Sequence, residues 1–230
     1  MRLLFHILIL PIFILVCAVV MMWLPLPDFL PPPLSRGRNQ LAAVVTGVLF
    51  MGNLVWTALY VIGSLLQHSR TVDEAFSPLG LEGQSYLLFG RQYHGLVEGR
   101  QVDVTFVKGR WSASLNIYVV ADLDTRVAIG AKRPLLDCRE CPRLSLGDSD
   151  LRHVQIFAQD EAWTRGLLAD LEARGALSRL MAGQKSLGQG ELYLQPGRIW
   201  LNSHPSRVDA AAFGQWFEDL MTLAKALSKF

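Results

Sequence analysis

LAAVVTGVLFMGNLVWTALYVIGSLL, residues Leu41 to Leu66, runs for 26 residues without a charged side chain. As an α-helix rising about 1.5 Å per residue it would reach about 39 Å, against a bilayer hydrocarbon core of about 30 Å, so it predicts a tilted membrane span. A second apolar run lies upstream: LLFHILILPIFILVCAVVMMWL, Leu3 to Leu24, is 22 residues long and would reach about 33 Å. It is longer than the apolar region of a secretory signal, about 7 to 15 residues, and no small-x-small cleavage site follows it, so a retained helix is expected. Pro11 near its middle is tolerated in a bilayer with a kink, and Trp23 suits the interfacial belt. Between the runs, PLPDFLPPPLSRGRNQ, Pro25 to Gln40, holds five prolines and cannot be helical throughout. The expectation is a two-helix transmembrane hairpin over residues 1–66, with spans at about 3–24 and 41–66.

Within the second run Thr46, Gly47, Gly52, Asn53, Thr57, Gly63 and Ser64 are small or weakly polar, the residue types that let membrane helices approach and hydrogen-bond. Neither run carries a charged residue in its central portion, which disfavours an ion or proton pathway. Orientation rests on basic residues near the span ends. Arg2 and Arg70 flank one side and Arg36 and Arg38 the other; the amino terminus and Arg91 tilt the expectation toward termini and soluble domain in the cytoplasm, at the plasma membrane.

The chain is 51% hydrophobic and 18% charged, too apolar for an ordinary soluble domain. Its 22 Lys and Arg against 20 Asp and Glu balance once Arg2, Arg36, Arg38 and Asp28 are set aside, so the part after Leu66 is formally neutral. A neutral body without a basic block gives no electrostatic footprint for nucleic acid.

Residues 67–83, QHSRTVDEAFSPLGLEG, are polar with Pro and Gly and read as a juxtamembrane linker with at most a short turn. Residues 84–230 read as one α+β domain with a mainly antiparallel sheet of about seven strands and two packing helices. Tyr86 to Val97 and Gln101 to Val107 flank the turn Glu98-Gly99-Arg100; Val102, Val104 and Phe106 alternate with Asp103 and Thr105, the period of a strand with one wet face. Leu115 to Ala121 and Thr125 to Gly130 are expected to continue that meander across an Asp-rich turn. His153 to Ala158 is a further strand, and Asp160 offers an N-cap for a helix through Met181 that Gly175 is placed to split. In GELYLQPGRIWLN, Leu192 and Leu194 face Ile199 and Leu201 around Pro196-Gly197, where Pro sets φ and Gly accepts a positive one. Asp209 caps a last helix whose Phe213, Trp216, Phe217, Leu220, Leu223, Ala224 and Leu227 form one face, expected to pack on the sheet.

Tyr93-x-Gly95, Gly99-Arg100-x-Val102-x-Val104, the phrase from Phe157 to Trp163 leading to Leu167-Leu168, then a short hairpin and an apolar C-terminal helix together resemble a widespread family of uncharacterised bacterial membrane-anchored proteins. The likeness covers most of Gln84 to Phe230. It implies a bacterial membrane protein with its soluble domain on the cytoplasmic face, and it implies no substrate.

The sharpest chemical feature is Asp137-Cys138-Arg139-Glu140-Cys141-Pro142. A C-x-x-C lets two sulfurs converge on one metal or close a small disulfide, and Arg133, Arg139 and Arg143 would favour thiolate. Zinc wants about four ligands, and this chain has no second C-x-x-C; His153 and His204 are the histidines that would have to come close. A redox pair is expected where a strand meets a helix N-terminus, whereas this one lies between strands, so a structural disulfide or inert thiols is the simpler expectation. His94 is a candidate base without a matched nucleophile. GxSxG, HExxH, Walker-type and GxGxxG signatures are absent. Trp111, Trp163, Trp200 and Trp216 are candidates for an aromatic cleft or for ordinary packing. No catalytic residue and no cofactor is expected. The functional expectation is a non-enzymatic interaction or assembly domain held at the bilayer surface, with another membrane protein or a second copy as partner; the alternative is a membrane-tethered thiol-redox or metal-binding protein working through Cys138 and Cys141.

Overall fold

The computed structural model describes residues 12, 13, 16, 38–86, 90–109, 113–130, 138, 140–145, 151 and 154–230. The chain forms two compact units, Met1–Leu66 and Gln67–Phe230. The expected span at 3–24 lies outside the described residues except for 12, 13 and 16, which are helical. Among the described residues one helix is long and apolar enough to cross a membrane. It is α1, Arg38–Phe76.

α1 continues ten residues past the apolar run because QHSRTVDEAF contains neither Gly nor Pro. It stops before Pro78, which has no N–H to donate to the next α-helical hydrogen bond, and the chain closes through a 3-10 turn, Ser77–Leu79, with Gly80 at φ 78°. Val72, Ala75 and Phe76, at helical spacing, are buried. The linker expected at 67–83 is therefore helix and turn, and its last residues already belong to the sheet.

Among the described residues that sheet has nine strands: β1 Glu82–Tyr86, β2 Gly90–Val97, β3 Arg100–Lys108, β4 Ala113–Val120, β5 Val127–Ile129, β6 Arg143–Leu144, β7 Ile156–Ala158, β8 Gly188–Gln195 and β9 Arg198–Pro205. Their order is β1-β2-β3-β4-β9-β8-β5-β7-β6, and every pair is antiparallel. The two strands beyond the expected seven are β1, which begins in the last two residues of the expected linker, and β6, which directly follows Pro142. The β2–β3 turn puts both Glu98 (φ 52°) and Gly99 (φ 79°) in the left-handed region, the pattern whose twist matches a two-residue hairpin. The Pro196-Gly197 hairpin forms as expected, with Leu192 opposite Leu201 and Leu194 opposite Ile199.

One expectation fails: β5 does not continue the meander. The Asp-rich segment 121–126 is not a turn but an extended crossing past the β8–β9 hairpin. Ala121 N–H donates to the Gly197 carbonyl at 3.1 Å, and Gly197 N–H donates to Leu123 at 2.9 Å. The crossing deposits β5 beyond β8, so the hairpin is inserted between β4 and β5.

The helix expected from Asp160 to Met181 is two helices, α2 Glu161–Ala169 and α3 Leu171–Leu187. The break falls at Asp170, not at Gly175. Asp170 is extended, and its carboxylate accepts from the N–H groups of Glu172 and Ala173 at 2.9 and 3.0 Å, which makes it the N-cap of α3. α4, Ala210–Leu227, is capped by Asp209 and buries the whole expected face. α3 and α4 touch closely: a Cβ on Gly183 would sit 2.6 Å from the Trp216 indole nitrogen. Alternate strand residues, among them Val104, Phe106, Leu115, Ile117, Leu192 and Leu201, join them in one core on the helix-bearing face.

Candidate functional site

The end of α1 is joined to the sheet by three side chains. The Asp73 carboxylate accepts from the Arg91 guanidinium and from the Tyr93 hydroxyl, both at 2.6 Å. Arg91 and Tyr93 sit two apart on β2 and so share its helix-bearing face. Tyr93 is fully buried, and burial first, then its bond to Asp73, pushes the phenol well above its ordinary pKa. The bond to Asp73 likewise holds Arg91 more firmly protonated. Phe76 packs beside them, 5.3 Å from Tyr93 and 6.5 and 6.3 Å from Phe213 and Phe217 of α4 between ring centroids. This is a mechanical joint: both Asp73 oxygens are engaged by Arg91 and Tyr93, while the Arg91 Nε is buried without a hydrogen-bond partner. A second pair crosses α3 and α4, where Arg179 reaches Asp219 at 2.7 Å; desolvation raises the Asp219 pKa against the pull of Arg179.

The opposite face of the sheet carries a row of rings. Register sets Tyr118 opposite Trp200 and Trp200 opposite Tyr193. Tyr118 and Trp200 stack at 5.6 Å and Trp200 and Tyr193 at 5.0 Å. Arg198 lies 5.6 Å over Tyr118. The Trp200 indole N–H donates to Asn116 at 3.1 Å and the Tyr193 hydroxyl donates to Glu191 at 2.7 Å. Because the rings occupy each other's faces, they form a packed rib rather than an open stacking platform.

Cys138 and Cys141 are joined as a disulfide that packs at the end of this rib with Ala128, Phe157, Tyr193 and Trp200. Cys138 is 3% exposed, and its Sγ lies 3.9 and 3.8 Å from the carbonyl oxygens of Arg126 and Phe157. Carbonyl oxygens and burial disfavour a thiolate there. The pair closes a turn, with Cys141 N–H donating to Cys138 at 3.2 Å, and does not stand at a helix N-terminus.

Among the described residues the other candidates are not drawn to it. His153, Trp111, Arg133 and Arg139 lie outside the described residues. His204 is exposed on β9. His94 is exposed on the second face, 3.7 Å from Glu82. Among the described residues no group of three or more His, Cys, Asp or Glu is arranged to hold a metal ion. The described tryptophans among the candidates do not share a cleft: Trp216 is in the core, Trp163 packs against Phe230 at 6.3 Å, and Trp200 belongs to the rib. What sequence reading missed was the Asp73 joint and the rib. The rib depends on cross-strand register and the joint on where α1 meets β2; the one sequence signal was the spacing of Val72, Ala75 and Phe76, which extends the helical period past Leu66.

No protein-family model and no curated protein matches this chain. Among solved structures it is similar to the crystal structure of the mycobacterial trehalose monomycolate transport factor A, TtfA, at 10% identity and a TM-score of 0.49, over 70% of this chain and 93% of that one. A likeness that distant carries no function across.

Proposed function

We propose that this chain is a membrane-anchored, non-enzymatic assembly protein whose α+β domain is held at the bilayer surface through α1 and presents its sheet to another protein or to a second copy. The observation that carries the reading is the contrast along α1. Between Val44 and Leu66 twelve large apolar side chains stand 40 to 66% exposed, among them Phe50 at 40% and Val48 at 66%, whereas Val72 and Phe76 are fully buried in the core of the second unit. A helix exposing so many large apolar groups is at equilibrium in lipid, not water. Its far end is then part of the domain it carries.

The thiol or metal alternative is less well supported, because the two sulfurs are spent on each other. The disulfide also bears on the side of the membrane. Stable disulfides belong to oxidising compartments, and the basic residues flanking the spans are divided too evenly to oppose that. The reading is therefore a domain outside the cytoplasm, against the expectation from charge alone. The test is alkaline carbonate extraction together with impermeant thiol labelling of intact cells carrying Cys17→Ser. Retention in the membrane, with labelling of Cys138 and Cys141 only after reduction, is expected. Release by carbonate refutes the anchor. Labelling that requires lysis refutes the side.

A further inference from the structure

The two edges of the nine-stranded sheet are built differently. β6 is two residues long, follows Pro142 and carries Arg143, so it is blunted by shortness, proline and charge, the devices that keep an edge from pairing. β1 is longer, and its one charge, Glu82, stands at its first position. Glu82-Gly83-Gln84-Ser85-Tyr86 holds no proline and no basic residue, and it pairs one-for-one with β2, from Glu82 opposite His94 to Tyr86 opposite Gly90, without a bulge. All five residues are exposed, so on both faces the strand is bare, and hydrophobic burial contributes little to ordering it. What holds it is the β2 ladder and the Tyr93 ring lying against Gly83, where a Cβ would come within 2.7 Å. Alternate residues along its outer side turn N–H and C=O groups away from β2, and no described residue answers them.

We infer that β1 is the pairing edge for a second copy of this chain, joined antiparallel so that one sheet runs through both protomers. The inference rests on the assembly reading above and names its partner. The strand is self-complementary about Gln84. Antiparallel pairing on a two-fold axis sets Gln84 against its own copy, Gly83 against Ser85 and Glu82 against Tyr86, so no like charges meet. Parallel pairing would set Glu82 on Glu82, which is unfavourable. A two-fold contact also closes on itself and leaves no free β1 edge to propagate. A five-residue ladder is weak by itself, and confinement of both copies to one membrane supplies the effective concentration that makes it sufficient.

The experiment counts photobleaching steps of the full chain, fluorescently labelled, in phosphatidylcholine vesicles at low protein density, for the wild type, Gln84→Lys and Gln101→Lys. Gln101 is exposed on β3, away from the edge. Two-step traces are expected for the wild type and Gln101→Lys. In Gln84→Lys like charges meet on the axis, and the dimer should weaken roughly fivefold with the thermal midpoint unchanged. Under mild oxidation Gln84→Cys should give a covalent dimer and Gln101→Cys should not. One-step traces for the wild type, equal dimer in Gln84→Lys, loss of dimer in Gln101→Lys, or crosslinking at 101 in place of 84 each overturn the inference. A chain that stays in the membrane but is monomeric refutes this pairing and leaves the anchor standing; a chain extracted by carbonate refutes the anchor itself.

Discussion

Replacing Phe76 by Ala tests whether the end of α1 is core or linker. The ring is fully buried against Tyr93, Phe213 and Phe217. Its neighbours come from a strand and from α4, two elements fixed by the rest of the sheet, so the site has little room to collapse. Phe→Ala in such a place costs about 3 to 5 kcal/mol through lost transfer energy and residual cavity. For a unit the size of Gln67–Phe230 each kcal/mol moves the thermal midpoint by about 2 to 4 °C, so a fall of about 6 to 20 °C is expected. The assay is thermal unfolding of the full chain in detergent, followed by tryptophan fluorescence, with Glu74→Ala as control. Glu74 is exposed two residues away on the same helix, and its replacement should change stability by less than about 0.5 kcal/mol. If Phe76→Ala moves the midpoint by no more than Glu74→Ala does, residues 67–83 are a linker after all and the joint is wrong. A chain trimmed to begin at Gln84 lacks Val72, Phe76 and Leu81 and should fail to give a cooperative transition, whereas one beginning at Gln67 should retain it.

Tyr93→Phe keeps the ring and removes the hydroxyl bond to Asp73. With Asp73 partly exposed, a loss of about 1 to 2 kcal/mol at neutral pH is expected by denaturant titration. Because the folded phenol has a raised pKa, the unfolded state ionises first as pH rises through about 10, and the gap between wild type and variant should narrow above that pH; a gap that widens there contradicts the joint. Cys138→Ser with Cys141→Ser opens a four-residue loop, whose closure entropy is worth about 2 kcal/mol, and the drop in midpoint should match the drop on reducing the wild type. Asp219→Asn addresses the buried pair between α3 and α4. Burial raises the Asp219 pKa, so the wild type's advantage is greatest below the unfolded carboxyl pKa of about 3.9 and declines as pH rises through the folded value; the midpoint difference between wild type and variant, measured from pH 3 to 7, should shift against the wild type with rising pH, and a constant difference refutes it.

The local elements of this protein were legible in its residues. A 26-residue uncharged run, the three-and-four spacing from Phe213 to Leu227, the caps at Asp160 and Asp209 and the turns at Glu98-Gly99 and Pro196-Gly197 each follow from dihedral preference or periodicity within a short window. Placement beyond that window was decided by tertiary structure. The Asp-rich segment reads as a turn until Gly197 offers it hydrogen-bond partners more than seventy residues away. QHSRTVDEAF reads as a linker because its buried residues are only three, and they matter only once α4 and β2 meet them. Asp170 in place of Gly175 breaks the helix pair because its carboxylate caps α3, a competition between two local signals that packing settles. Cys138 and Cys141 carried several chemistries in sequence; the fold joins them in a turn packed against Phe157, Tyr193 and Trp200. Windows of ten residues encode which conformations are cheap, whereas strand order and side-chain partners depend on contacts whose loop-closure entropy is repaid only by the whole core.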